Sequence, residues 1–163
     1  MATQRQYRCD CGARVEEVWN LYAALDQVAS GTASACADCT TTLKLHLSFG
    51  FALDADGKDY VVAACYRPRN KTKAVWQTSK GKAVEFVPFL VVAEKGSERA
   101  IWLPYWHVVQ ESSGPKNRYG QFAPFMDAEL FVDLMEQASA DGWLSGATMQ
   151  IGSTEADPRG PAR

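Results

Sequence analysis

The sequence predicts an α+β protein: a cysteine-bearing N-terminal module fused to an antiparallel β-sheet of about four strands, with a C-terminal helix packed on it. Three observations predict this. Four cysteines stand in two close pairs, Cys9 with Cys11 and Cys36 with Cys39. From Leu43 to Phe49 apolar residues alternate with polar ones, the period of a half-buried strand. Leu130, Phe131, Leu134, Met135 and Ala138 form one apolar stripe at helical spacing. The boundaries that follow are a knuckle module over 1–42, a sheet with its helix over 43–151, and a disordered polar tail over 152–163.

In chain order, residues 1–6 are polar and read as a frayed end. Gly12 suits a tight knuckle after Cys11, because the backbone must turn there with φ > 0. A short strand then leads into a helix from about Glu16 to Ala29, where Val15, Val18, Trp19, Tyr22 and Leu25 have helical spacing and Ser30-Gly31 ends the run. After the strand that begins at Leu43, Asp54 to Lys58 is a turn signal and Asp59 to Arg67 is the returning strand. Val84 to Ala93 reads as a third strand and Arg99 to Gln110 as a fourth, with a turn at Lys95-Gly96-Ser97. Pro104 inside the fourth strand predicts an edge position or a bulge. Glu111 to Gly120 reads as a polar loop. The C-terminal helix has Asp127 as its N-cap, Met126 stapled to Phe131, and Gly142 as its stop. Trp143, Leu144, Met149 and Ile151 are expected to dock on the body.

At 163 residues and 47% hydrophobic, the chain can bury a proper core. No apolar run approaches the ~18 residues of a membrane helix. Met-Ala-Thr-Gln-Arg-Gln-Tyr lacks a signal peptide's apolar stretch, so the expected location is cytoplasmic, with no membrane partner. In a reducing compartment, paired cysteines are metal ligands more often than disulfides. Of the five cysteines, Cys65 is left over.

Two close pairs of thiols fit one tetrahedral Zn²⁺ bound by Cys9, Cys11, Cys36 and Cys39. Four thiolates fill the coordination sphere, so this zinc is expected to be structural and to leave no position for a reactive water. The competing reading is four unrelated thiols buried as small hydrophobes, or a redox pair. Tyr7-Arg-Cys-Asp-Cys-Gly12 followed by Glu16-Glu-Val-Trp19 resembles the opening of bacterial zinc ribbons of the FmdB and CpXC kinds, over roughly residues 7 to 45. That resemblance implies a zinc-ribbon-like, zinc-stabilised fold and no substrate. Here the first pair is one residue shorter than usual, and Thr40 stands where a glycine normally follows the second pair. Cys9-Asp-Cys-Gly-Ala-Arg-Val15 is also similar to the opening of the glutathione-dependent formaldehyde-activating family. The further cysteines of that family's catalytic zinc have no counterpart here, so its activity does not carry over.

Net charge is −2, which is no nucleic-acid footprint taken whole. The distribution is uneven: between Asp59 and Glu85 there is no acidic residue, and Arg67, Arg69, Lys71, Lys73, Lys80 and Lys82 fall in that interval with Trp76 among them. Such a segment can hold phosphates by charge and stack a base on the indole. The plainer reading is a solvated hairpin tip with Trp76 in the core. Alternation puts Tyr105 and His107 on one face of their strand and Trp102 and Trp106 on the other, as sheet packing or, if exposed, as a patch for a protein partner. An enzymatic reading needs Cys65 and His107 to meet as a nucleophile pair. No catalytic or phosphate-binding signature motif occurs. The sequence therefore predicts a non-enzymatic zinc-binding module that binds DNA or RNA through its basic loop. The alternatives are a protein–protein adaptor with a structural zinc, and a Cys65–His107 enzyme. The oligomeric state is open.

Overall fold

A computed structural model describes residues 2–12, 15–49, 58–69, 75–79, 81–120, 126 and 128–144. In chain order the elements are β1 (Ala2–Arg8), β2 (Val15–Glu17), α1 (Leu21–Ala29), β3 (Lys44–Phe49), β4 (Lys58–Tyr66), β5 (Val75–Gln77), β6 (Ala83–Pro88), β7 (Leu90–Lys95), β8 (Glu98–Trp102), β9 (Tyr105–Glu111), β10 (Gly114–Tyr119) and α2 (Ala128–Ala140). They form two antiparallel sheets, one of six strands in the order β2-β1-β3-β4-β7-β8 and one of four in the order β10-β9-β6-β5. The α+β class holds, and the strand count is well above four.

The extra strands come from three places. The polar end over residues 1–6 was expected to fray, whereas residues 2–8 are β1, hydrogen-bonded between β2 and β3. The polar segment after Glu111 is β10, which pairs with β9 across a two-residue turn from Glu111 to Gly114. The basic interval contains β5, an outer strand of the smaller sheet.

The third and fourth expected strands are each broken in two, and the break organises the molecule. β6 and β9 pair in the smaller sheet, while β7 and β8 pair in the larger one. One long hairpin thus serves both sheets and turns its corner at Pro88-Phe89 and Leu103-Pro104. Proline has no N–H to give a ladder, so each strand leaves its sheet there. The Phe89 N–H donates to the Pro104 carbonyl at 2.8 Å and holds the two sides of the corner together. Pro104 is buried at this corner and not on an edge strand. The alternation of side chains continues through the bend. Val87, Phe89, Val91 and Ala93 face the main core with Trp106 and Val108, and with Leu21, Ala24 and Leu25 of α1. Leu90 and Val92 face the other way, onto Leu134 and Ala138 of α2. The run is apolar throughout because both of its faces are covered.

Both helices end as their sequences predict. Gly31 and Gly142 take φ of 68° and 79°, and each helix closes with the paired amide bonds of a Schellman cap: Thr32 N–H to Gln27 O with Gly31 N–H to Val28 O, and Trp143 N–H to Ala138 O with Gly142 N–H to Ser139 O. α1 begins later than expected. Asn20 is its N-cap and accepts a hydrogen bond from Ala23 N–H at 3.1 Å, so residues 15–17 remain strand. Trp143 and Leu144 dock against the α2 cluster, and Arg99 stacks on the Trp143 ring at 4.9 Å. The Asp54–Gly57 turn, the Asp127 cap, Met149, Ile151 and the 152–163 tail lie outside the described residues.

Gly120 accompanies the corner. A Cβ there would come within 2.0 Å of the buried Tyr105 ring. Gly120→Ala is expected to destabilise the fold by about 1–3 kcal/mol through overpacking. Leu134→Ala, at a fully buried position, is expected to cost about 2–5 kcal/mol. Urea unfolding monitored by far-UV circular dichroism measures both.

Candidate metal centre and the surfaces around it

The pairing of β1 with β3 brings the cysteines together. Arg8 lies opposite Lys44, so Cys9, which leaves β1, sits beside Leu43, which enters β3. The first knuckle therefore follows β1 and the second precedes β3, on the same end of neighbouring strands. Gly12 has φ 74° and its N–H closes the first knuckle onto the Cys9 carbonyl at 2.9 Å. The second knuckle is carried on a small hairpin, with a bridge from Ala35 to Thr42, Cys36 N–H to Thr41 O at 2.8 Å, and Thr40 N–H to Cys36 O at 2.9 Å. Lys44 pairs with Asp10 at 2.6 Å across the two knuckles.

The four Sγ atoms all lie within 4.8 Å of one another. Cys9 is 3.0 Å from Cys39 and 3.1 Å from Cys11, and Cys11 is 3.8 Å from Cys36. Zinc–sulfur bonds of about 2.3 Å in a tetrahedron put sulfurs about 3.8 Å apart, so the cluster has the size of a metal site. None of the four is in a disulfide. The donor set fits a borderline or soft cation and leaves no fifth group. Cys9 and Cys36 are buried with Leu43, and Tyr7 packs over them. The Tyr7 hydroxyl reaches Gln27 Oε1 at 3.0 Å and ties the knuckles to α1.

Two threonines act here: Thr41, which the sequence did not mark, and Thr40, which stands where a glycine usually follows the second pair. The Thr41 hydroxyl lies 3.3 Å from Cys9 Sγ and 2.9 Å from Cys39 Sγ. Its hydrogen bond, followed by those from Cys39 and Cys11, holds the Cys9 thiol down at about 6, which favours the thiolate a metal needs. Thr40 takes φ 62°. The knuckle demands the left-handed conformation usually given to glycine, and a β-branched residue adopts it only at a cost. The absence of glycine after Cys39 was the sequence signal for this strain.

The other predicted residues divide. Cys65 is in the main core between the sheets, and burial pushes its thiol far up. His107 faces outward on the smaller sheet, with the rings of Trp76 at 5.3 Å and Tyr105 at 5.5 Å. Trp106, the next residue, points into the core that holds Cys65, so the two predicted partners lie on opposite faces of a sheet and are not brought together. Trp106 is 4% exposed and Trp102 packs at the core margin, which makes both sheet packing.

Of the basic interval, Arg67 pairs with Asp26 of α1 and stacks over Phe89 at 5.5 Å. Arg69 is held by Asp133 of α2 at 2.6 Å, through both its backbone N–H and its Nε. Lys82 lies 3.7 Å from Glu111. Trp76 is 42% exposed beside Phe86 and His107. Lys71, Lys73 and Lys80 lie outside the described residues. No helix among the described residues is long and apolar enough to cross a membrane.

Comparison with protein-family models, with curated proteins and with solved structures finds no match, so the reading of these sites rests on their geometry.

Thiol counting tests the arrangement. A chelator is expected to open all five thiols to Ellman's reagent together, because the buried Cys65 is reached only when loss of the metal unfolds the chain. Cys9 has a lowered pKa, so its contribution to stability is present above the ordinary thiol value of about 8.5 and is lost as pH falls through about 6. Metal retention is expected to fail on the same acid side. Thr40→Gly is expected to stabilise the protein by about 1 kcal/mol, by relieving the left-handed threonine.

Proposed function

We propose that Cys9, Cys11, Cys36 and Cys39 hold one structural Zn²⁺ in a zinc-ribbon-like site, and that the protein is a non-enzymatic binding module built on that staple. The observation that carries the first half is the four-sulfur cluster itself, with no position left for a reacting water. When bound, the zinc supplies cross-linking energy, on the order of 10 kcal/mol in comparable small sites. Purified protein is expected to contain one equivalent of zinc, and Cys36→Ser is expected to lose the metal together with the folded state. Protein prepared without chelator that carries no metal would falsify this half.

For the second half, the proposed ligand is single-stranded nucleic acid on the outer face of the smaller sheet. Trp76 supports this: its ring is half exposed, fixed by His107, and lies within the basic interval. In this reading Arg67, Arg69 and Lys82 anchor the two ends of the interval through their carboxylate partners, and Lys71, Lys73 and Lys80 are the groups left to meet phosphates. A protein partner is the second reading. It is favoured by those same ion pairs, which already occupy three of the six charges, and by β5, an outer strand whose Val75 and Trp76 are exposed.

A salt titration with a single-stranded oligonucleotide separates them. Nucleic-acid binding predicts a linear fall of log affinity with log salt. Lys71→Ala with Lys73→Ala should then reduce the slope by about 1.4. Absence of binding at low ionic strength leaves the protein-partner reading.

A further inference from the structure

A cleft of about 420 Å³ opens where the two sheets part, between β1, the residues that lead into α1, and β9 with β10. Its size falls in the range of small-molecule sites, about 300–1,000 Å³. The floor is aromatic and fixed: Trp106 meets Tyr119 edge-on at 5.2 Å and Tyr22 at 5.8 Å. Trp19 stands at the rim and is 87% exposed. An indole left in water with no ring contact among the described residues forgoes a large apolar burial, which a flat ligand laid against it would supply.

The charge of the cleft is equally specific. Among the described residues that line it, Arg5 carries the only formal charge. Arg5 is half buried, and no ion pair or side-chain hydrogen bond engages its guanidinium among the described residues, whereas Arg67, Arg69 and Arg99 all have carboxylate partners. A half-buried guanidinium facing a cavity without an acid is set to accept one, by paired N–H bonds to a carboxylate or phosphate. Asn117 adds an amide on the β10 side. Asn20 does not compete for the ligand, because its side-chain oxygen is committed to the cap of α1.

We infer that this cleft binds a small planar aromatic molecule carrying one anionic group, with Trp19 stacking on the ring and Arg5 holding the anion. The site is independent of the basic interval and of the metal. Arg5 lies four residues before Cys9 on a strand rising about 3.4 Å per residue, so the two are about 14 Å apart.

The test uses full-length, metal-loaded protein and two pairs of probes: indole-3-acetate against indole, and adenosine 5′-monophosphate against adenosine. Calorimetry or ligand-observed NMR is expected to show saturable, low-millimolar or tighter binding of at least one anionic probe. Which one binds assigns the anion as carboxylate or phosphate. Arg5→Gln is expected to weaken that probe about tenfold and to leave its neutral counterpart unchanged. Trp19→Ala is expected to weaken both, and Trp19→Phe to restore them in part. In unmodified protein, the bound probe is expected to protect tryptophan fluorescence from acrylamide. The inference is overturned if neither anionic probe binds in the millimolar range. It is also overturned if Arg5→Gln or Trp19→Ala, folded as judged by an unchanged melting temperature, binds the anionic probe as the parent does.

Discussion

The contact between the end of β1 and the start of β3 is the constraint on which the rest depends. These strands are separated in sequence by two knuckles, β2 and α1, and β1 is polar along most of its length. Little in β1 itself would hold it in the sheet. Four sulfurs gathered at its end, with Tyr7 packed over them and bonded to α1, supply what its side chains do not. Once β1 is seated, β2 pairs on its far side and α1 is drawn over the core. The four-cysteine cluster is therefore a way of keeping a hydrophilic strand at the margin of a hydrophobic sheet.

The second organising device is the corner at Phe89 and Pro104. A chain of this size could cover one sheet with two helices. Here one hairpin bends out of the six-stranded sheet and founds another, so its inner residues join a single core shared by both sheets and α1. α2 wraps the outside of the bend, with Leu134 and Ala138 on the larger sheet and Leu130 on Phe86 and Tyr105 of the smaller. The cleft bounded by Arg5 and Trp19 lies where the same two sheets diverge.

How much of this could be read from the sequence depended on how each residue pattern arises. The alternation from Leu43 to Phe49 and the stripe of α2 were legible because each pairs one buried face with one wet face, and the cysteines because two close pairs of thiols match the spacing of metal ligands. β1 and β10 were not. Ala-Thr-Gln-Arg-Gln-Tyr-Arg and Gly-Pro-Lys-Asn-Arg-Tyr are polar on both faces, and their strand state comes from a neighbour's open hydrogen bonds. The corner was hidden for the opposite reason: Phe86 to Ala93 is apolar on both faces, so no change of period marks the point where it switches sheets. Pro104 was noticed, yet its meaning as a corner needed the partner at Phe89. The basic interval was legible as charge, but not the acids that meet it, since Asp26 and Asp133 lie on distant helices. The cleft was invisible because β1, the α1 entry, β9 and β10 each contribute only one or a few residues to it.

All four cysteines of the cluster precede β3 in the chain, and that order bears on how the protein is made. The knuckles can close on a metal while the residues of β4 to β10 are still to be synthesised. Closing that loop early removes conformational freedom at a cost that grows only slowly with its length. The paired β1 and β3 would then wait as a ready template, offering β3's open edge to β4 as it emerges. With the proposed zinc in the cluster, a shortage of metal would show first as an assembly fault in newly made chains.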